Sequence, residues 1–395
     1  MASHTVQGLV DEIGHLAGGL SPEPPAALDA GVSELSAAVA RLRRVARAAR
    51  DLAEDDDEYG APSDAAELPW TEADFAALTE THRRALLVHC YRMTGSYDDA
   101  EDLVRESVLR AWRARDTFPG RAGTVTWLYR IATHVCLEFL RRTPRRPHGH
   151  EPLPGVRHGA GEPPARITWL QPYPDDEVPG PAPAAGPYAS LELPLLVALQ
   201  HLPPRQRAAL VLRDVLGLSA GDTAEALGLT PGSVDDALER ARPALRERLP
   251  VRSAHRTGEG THDDGGDGSG RERAVLLRYM AAGEAADVAA AGRLLAADVT
   301  LTMPPEPSWF TGRDAVLAHL RTRLDPLGPA FPGHRRHLPV RANGQPAAGV
   351  YVRRPGTNVH RAQLLDVLRV EDDRIVEITS FEPHLFPAFG LPPRL

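Results

Sequence analysis

A chain of 395 residues with 42% hydrophobic residues has room for two or three domains and is too apolar to be disordered throughout. No apolar run reaches the ~20 residues that cross a bilayer. No secretory pattern opens the chain, and Cys90 and Cys136 form no CxxC or Cys/His cluster. A membrane protein, a disulfide scaffold and a zinc module are thereby excluded, and a reduced, cytoplasmic protein without a metal is expected. All 45 basic residues are arginine, so no Schiff-base or P-loop lysine is available. The net charge of −8 equals that of residues 1–69 alone (5 Arg, 13 Asp/Glu), whereas 70–146 and 271–395 each carry +3.

Composition divides the chain. Residues 1–69 form an acidic extension in which Leu28, Val32, Leu35, Val39, Leu42 and Val45 predict one amphipathic helix. That helix fits docking on another domain, a coiled coil, or loose packing in cis. A helical block spans 70–146. A proline-rich linker follows at 147–189, in a region where residues 143–187 hold 12 of the 37 prolines. A second helical block spans 190–250. A Gly/Asp-rich tether at 251–270 leads to a block at 271–395.

In the first block, Ser96 and Asp99 resemble a capping box. The helix they open carries Ala100, Leu103, Val104, Ser107, Val108 and Ala111 on one face, and Asp98, Asp102, Arg105, Glu106 and Arg110 on the other. The charged face fits a solvated, salt-bridged surface as well as an interface. A second helix, at about Thr124–Arg142, is expected to bury Val125, Leu128, Ala132, Cys136 and Phe139. Trp127, Arg130, His134 and Arg141 share another of its faces, and Arg142, Arg145 and Arg146 follow at its end. Cations there complement the helix dipole. Guanidinium forks and an indole also suit phosphates and an unstacked base.

In the second block, Ser219 caps a short helix with Thr223, Ala224 and Leu227 inward. Gly228 turns the chain, and Thr230 caps a second helix with Pro231 at its first position. Val234, Leu238, Ala241 and Leu245 form that helix's stripe. The spacing is that of a helix-turn-helix whose second helix can enter a major groove, or of a small helical hairpin without function. Asp235 and Asp236 near its start oppose phosphate, Arg240, Arg242, Arg246 and Arg248 compensate, and Pro243 is expected to kink or end it.

Three strings carry a family resemblance. YRMTGSYDDAEDLVRESVLRAW (Tyr91–Trp112) resembles the region 2 surface with which bacterial extracytoplasmic-function sigma factors grip the beta-prime subunit of RNA polymerase. WLYRIATHVCLEFLRR (Trp127–Arg142) resembles the helix that holds the melted minus-ten strand. Leu202–Leu249, opening with LPPRQRAALVLRDV, resembles region 4, the reader of the minus-thirty-five element. Two all-α sigma modules are therefore expected, bound to core RNA polymerase (beta and beta-prime subunits) and to promoter DNA, with no cofactor and no membrane partner. The resemblance implies polymerase contacts at Asp98, Asp99, Asp102, Glu106 and Arg110. It implies minus-ten contacts at Arg121, Trp127, Arg130, His134, Arg141 and Arg142, and minus-thirty-five contacts at Thr230, Ser233, Arg240 and Arg242. The sequence departs from the family at Thr124, where an aromatic is usual, and at Asp235 and Asp236.

Residues 271–395 read as helices at 274–282, 287–296 and 312–323 and strands at 299–303, 337–342, 349–353, 363–371 and 374–381, an α+β cone. MPPEPSWFTGRDAV, RANGQPA and LFPAFGLP resemble the SnoaL-like domain fused to some sigma factors of this group. In that family the domain regulates the sigma modules in cis. Some relatives are cyclases or isomerases, which makes His337, Asp366 and Glu382 the residues to examine as bases, although no catalytic constellation is visible. Trp309, Phe310 and Phe381 are read as core or pocket wall. The expected function is a non-enzymatic sigma factor, with a small ligand in the C-terminal domain left open. Two alternatives stand beside it: a sensor or SnoaL-type enzyme with degenerate sigma modules, and a DNA-binding regulator independent of polymerase.

Overall fold

A computed structural model describes residues 71–118, 123–149, 156–159, 166–177, 188, 190–249 and 268–395. The expected N-terminal helix, Arg121 and tether residues 251–267 lie outside them. Residues 70–395 cluster as one unit. Among the described residues no helix is long and apolar enough to cross a membrane.

The first block contains three helices: α1 (Glu72–Thr94), α2 (Tyr97–Arg113) and α3 (Thr124–Arg142). The long first helix was not anticipated from the sequence. Its C-terminal half buries Leu86, Leu87, Cys90, Tyr91 and Met93. It ends at Gly95, whose φ of +70° is a conformation that favours glycine, and a Cβ there would stand 3.0 Å from the Gln200 side chain. Ser96 then caps α2 by accepting from the Asp99 N–H at 3.3 Å. The inward face of α2 is the expected one, with Ala100, Leu103, Val104, Ser107 and Ala111 buried. In α3, Leu128, Ala132 and Cys136 are buried as expected, Phe139 is half-buried, and Val125 is 46% exposed. The inward set is wider than one stripe, because α3 packs on α1 and α2 and also on helices of the second block.

That block consists of α4 (Leu193–Gln200), α5 (Pro204–Leu210) extended by a π-helical turn at Val211–Val215, α6 (Ala220–Leu227) and α7 (Pro231–Arg248). Ser219 accepts from the Asp222 N–H at 3.0 Å, and Thr230 from the Ser233 N–H at 3.2 Å. Gly228 turns the chain at φ 59°. Thr223, Ala224 and Leu227, and then Val234, Leu238, Ala241 and Leu245, are buried. Pro243 does not end α7, which runs on to Arg248. Pro243 and Glu239, whose carbonyl loses its intrahelical donor, are both exposed. Water can serve that carbonyl where a buried proline would leave it unpaired.

The C-terminal block is α8 (Gly268–Glu284), α9 (Val288–Leu294), β1 (Leu295–Thr302), β2 (Trp309–Thr311), α10 (Arg313–Leu324), β3 (His334–Ala342), β4 (Gln345–Arg353), β5 (Arg361–Glu371) and β6 (Arg374–Phe381), closed by a 3₁₀ turn at Pro383–Phe389. The helix α8 begins inside the stretch read as tether, α9 stops two residues short of expectation, and β2 was unforeseen. The six strands run β2-β1-β6-β5-β4-β3, antiparallel except for β1 beside β6. Strand alternation sorts the core. Leu368 joins Val275, Leu276 and Val316 under the helices. Leu365 and Val367 join Phe386 and Leu391 in a cluster that runs on without a break into the sigma-like helices.

Candidate functional site

The acidic face of α2 forms as expected, and its charges are already engaged. Asp99 pairs with Arg145 at 2.7 Å, both largely shielded. Asp102 pairs with Arg105 at 2.6 Å. Glu106, Arg110, Glu138 and Arg142 form a chain of ion pairs at 2.6, 2.6 and 2.7 Å that ties α2 to α3. Burial pulls the Arg110 pKa down, but hydrogen bonds to Glu106 and Glu138 outweigh it and the net shift is upward. Asp98 accepts from Gln171 Nε2 at 3.0 Å and lies 3.6 Å from His384 Nε2, so linker and C-terminal turn meet on this face.

On α3 the expected aromatic-plus-arginine surface divides. Trp127 is only 3% exposed; its ring packs edge-on against Phe118 and its Nε1 donates to Thr117 Oγ1 at 3.3 Å. The indole thus belongs to the core in this arrangement rather than to an open face. Arg130 Nη1 donates to Glu225 Oε1 on α6 at 2.5 Å. His134, Arg141 and Arg142 are exposed at the surface. Burial, and then the Arg130 charge, lower the His134 pKa.

In the helix-turn-helix, Thr230 and Ser233 serve the cap of α7, with their hydroxyl oxygens 2.9 Å apart. Arg242 grips Asp214 with two hydrogen bonds, Nε to Oδ2 at 2.9 Å and Nη2 to Oδ1 at 2.7 Å. That geometry engages Arg242 in the packing of the motif. Arg240 is exposed, as are Asp235 and Asp236.

In the cone, Asp366 is 3% exposed and accepts from Tyr279 Oη at 2.9 Å and Ser380 Oγ at 2.5 Å. His337 is buried nearby; its Nδ1 stands 3.5 Å from Glu284 Oε1, and burial lowers its pKa. Glu382 lies exposed beyond β6, where nothing encloses it as a base. Trp309, Phe310 and Phe381 are buried, as read.

The contacts that join these modules were not legible in the sequence. Asn343 (φ 58°) and Gly344 (φ 73°) form the two-residue tip of the β3–β4 hairpin. Asn343 is fully buried and makes four hydrogen bonds. Its N–H donates to the Tyr173 carbonyl and its Oδ1 accepts from the Tyr173 N–H, both at 2.9 Å. Its Nδ2 donates to Tyr91 Oη on α1 at 2.9 Å and to the Leu191 carbonyl at 2.8 Å. One C-terminal side chain therefore holds the linker, α1 and the lead-in to α4. Gln345 Oε1 accepts from Leu193 N–H at 3.0 Å, satisfying an orphan donor at the start of α4. The linker is no passive spacer. Gln171 N–H donates to the Gly95 carbonyl, and its Oε1 accepts from Ser96 Oγ and the Asp98 N–H. His158 stacks on Trp309 at 4.5 Å.

A buried cation joins the two helical blocks. Arg207 donates to the Met93 carbonyl at the end of α1, to Gln200 Oε1 at 2.6 Å and to the Gln200 and Leu202 carbonyls. Burial pulls its pKa down to about 9, and the helix-end carbonyls are the natural partners for its charge. An Asn-Gly pair between alternating strands does signal the hairpin, but nothing local signals what its tip will touch.

Comparison with known proteins follows these boundaries. Residues 78–146 match the family model of Sigma-70 region 2, residues 192–245 that of Sigma-70 region 4, and residues 276–378 that of the SnoaL-like domain. The chain is 40% identical over 333 residues to the ECF RNA polymerase sigma factor SigG of Mycobacterium tuberculosis, covering 82% of this chain and 85% of that one. It is 28% identical over 311 residues to SigJ of the same organism, covering 75% and 88%. The crystal structure of the Mycobacterium tuberculosis extracytoplasmic function sigma factor SigJ matches with a TM-score of 0.50 at 22% identity, over 82% of this chain and all of that one, a likeness of fold.

Proposed function

We propose a two-state mode of action for this protein, which belongs to the ECF RNA polymerase sigma factors: a closed state, held by its own C-terminal domain, and an open state that works on DNA. As a sigma factor it directs core RNA polymerase to promoters. Its two readers must serve elements about 25 base pairs apart, which is about 85 Å at ~3.4 Å per base pair. Here α3 and α6 touch through the 2.5 Å Arg130–Glu225 pair. The two modules in this arrangement do not span that distance, so promoter binding requires them to part. The 43-residue linker 147–189 can reach about 140 Å when fully extended, enough for the separation.

The observation that carries this reading is Asn343. Its four buried hydrogen bonds tie the SnoaL-like domain to the first helical module, to the linker at Tyr173 and to the lead-in to α4 at Leu191. In this reading the domain tunes the sigma factor in cis by stabilising closure. In the open state the polymerase face is Asp98, Asp99, Asp102, Glu106 and Arg110. The minus-ten face is Arg130, His134, Arg141 and Arg142, with Arg121 on the preceding loop and Trp127 supplied by rearrangement of its packing. The minus-thirty-five face is Thr230, Ser233 and Arg240. Catalysis is not part of the reading: Asp366 already accepts two hydroxyl hydrogen bonds and Glu382 is exposed.

The test is Asn343→Gly in the full chain. Glycine keeps the φ 58° turn and removes the side-chain hydrogen bonds. Expected are faster hydrogen exchange in α1 and the linker and a several-fold gain in promoter-dependent transcription with core polymerase. Faster exchange with unchanged or reduced transcription would refute closure as the inhibitory state.

A further inference from the structure

A cavity of about 310 Å³ lies where three parts of the chain meet: the linker at 166–170, the helix α4 with the end of α7, and the β1/β6 side of the C-terminal domain. Its volume is that of a small-ligand site, and such sites favour domain junctions. The linker contributes Ile167 and Leu170, α4 contributes Leu193 and Val197, and the C-terminal domain contributes Met303, so most of the wall is apolar. Two hydroxyls, Thr302 and Thr379, are register partners on the parallel strands β1 and β6 and line the same wall.

The polar groups are unequal. Glu377 is already held by Arg369 Nε at 3.0 Å. Arg166 donates through Nη2 to the Pro305 carbonyl at 2.9 Å, and its Nε is buried without an acceptor among the described residues. His201, Arg248 and the carboxylate Glu306 also line the cavity. With Glu377 paired to Arg369, the guanidiniums of Arg166 and Arg248 share the wall with one further carboxylate, Glu306, and a planar guanidinium fork matches a carboxylate head.

We propose that this junction cavity binds a small amphipathic carboxylate, its anionic head received by Arg166 and its apolar chain laid along Ile167, Leu170, Leu193 and Val197. Because linker, α4 and C-terminal domain each supply a wall, an occupant bridges all three and stabilises the closed arrangement. The regulatory half rests on the two-state reading above; the site itself does not.

The probe is decanoate, with 1-decanol as its uncharged counterpart, titrated calorimetrically into the full-length protein without polymerase. Expected are saturable binding of one decanoate per chain, at least tenfold weaker binding of decanol, at least tenfold weaker decanoate binding by Arg166→Gln, and loss of binding in Val197→Trp, which fills the cavity. Circular dichroism of both variants verifies folding, and protection of linker residues 166–170 from hydrogen exchange by decanoate in the wild type tests the site without any substitution. No saturable binding, equal binding of decanol, or no exchange protection at 166–170 overturns the site. Binding without any fall in promoter-dependent transcription overturns the regulatory half alone, and a failure of the Asn343→Gly test would leave the calorimetric result standing.

Discussion

Arg130 on the helix expected to hold the minus-ten strand donates to Glu225 on the first helix of the helix-turn-helix, 2.5 Å from Nη1 to Oε1. A guanidinium suited to phosphate is thus occupied by a carboxylate of the same chain. Glu225 imitates the ligand it displaces, and the pair is exposed enough that its intrinsic worth is under about 1 kcal/mol. It is one clasp among several, weak enough for a competing polyanion to open. Glu225→Arg turns attraction into repulsion while leaving the DNA face intact. The expected outcome is faster exchange in α3 and α6 and a two- to tenfold rise in transcription with core polymerase. Arg130→Glu is expected to open the clasp equally and to lower transcription. The double exchange is expected to restore protection from exchange but not transcription.

Tyr91 is the point at which the linker and the hairpin tip share one phenol. Its Oη donates to the Gln171 carbonyl at 2.7 Å and accepts from Asn343 Nδ2 at 2.9 Å, and burial raises its pKa. Tyr91→Phe leaves the buried Asn343 amide and the half-buried Gln171 carbonyl each short of a hydrogen bond, a loss of about 1–3 kcal/mol for an unsatisfied buried group. Urea denaturation should show that loss. Hydrogen exchange should place it in the linker and the β3–β4 hairpin as well as in α1. A loss confined to α1 would mean that the phenol does not couple the modules.

Arg240 and Arg242 are two residues apart and differ in surroundings. Arg242 is fixed on Asp214 by two hydrogen bonds, whereas Arg240 is exposed on α7. Arg240→Gln is expected to weaken holoenzyme binding to a minus-thirty-five duplex and to reduce its salt dependence by about one phosphate contact. Arg242→Gln is expected to destabilise the motif by about 1 kcal/mol, leaving the salt slope unchanged. Binding isotherms at three salt concentrations, together with thermal melts, separate the two.

Local rules carried far along this chain. Ser96, Ser219 and Thr230 cap the helices they were expected to cap, because a side-chain oxygen two or three residues before an orphan N–H is a short-range event. The buried stripes of α2 and α7 follow from spacing for the same reason. Val125 and Trp127 show where spacing runs out. Trp127 is covered by Phe118 and Thr117 from the turn that precedes α3, whereas Val125 is left 46% exposed. The fold families were readable in strings such as WLYRIA and RANGQPA. The clasp between Asn343 and Tyr91 was not, since their 252-residue separation leaves no periodic trace. Arg207 was likewise hidden: within LPPRQR it reads as a surface cation, and only the arrival of the α1 C-terminus makes it a buried one.

His89 makes the stability of the first helical module depend on pH, and the hydrogen bonds show how. Thr133 Oγ1 donates to the Tyr129 carbonyl at 2.6 Å, so toward His89 Nε2, 3.0 Å away, it can only accept. The imidazole therefore carries its proton on Nε2, and Nδ1 is buried without a partner among the described residues. A second proton at Nδ1 would place an unsolvated charge in the core. Burial first, and the Arg92 charge second, lower the pKa to about 3 from 6.5. Between these values the unfolded chain binds a proton that the folded chain refuses, so this contribution is intact above pH 6.5 and is lost as pH falls towards 3. The slope approaches about 1.4 kcal/mol per pH unit. Urea unfolding of the wild type at pH 6.5 and 5.0 should thus differ by up to about 2 kcal/mol from this residue. His89→Gln, which retains a donor for Thr133 and cannot titrate, should flatten the dependence by that amount. An unchanged slope in the variant would assign the acid sensitivity to other groups, of which His319, lowered to about 4 chiefly by burial, is the next to test.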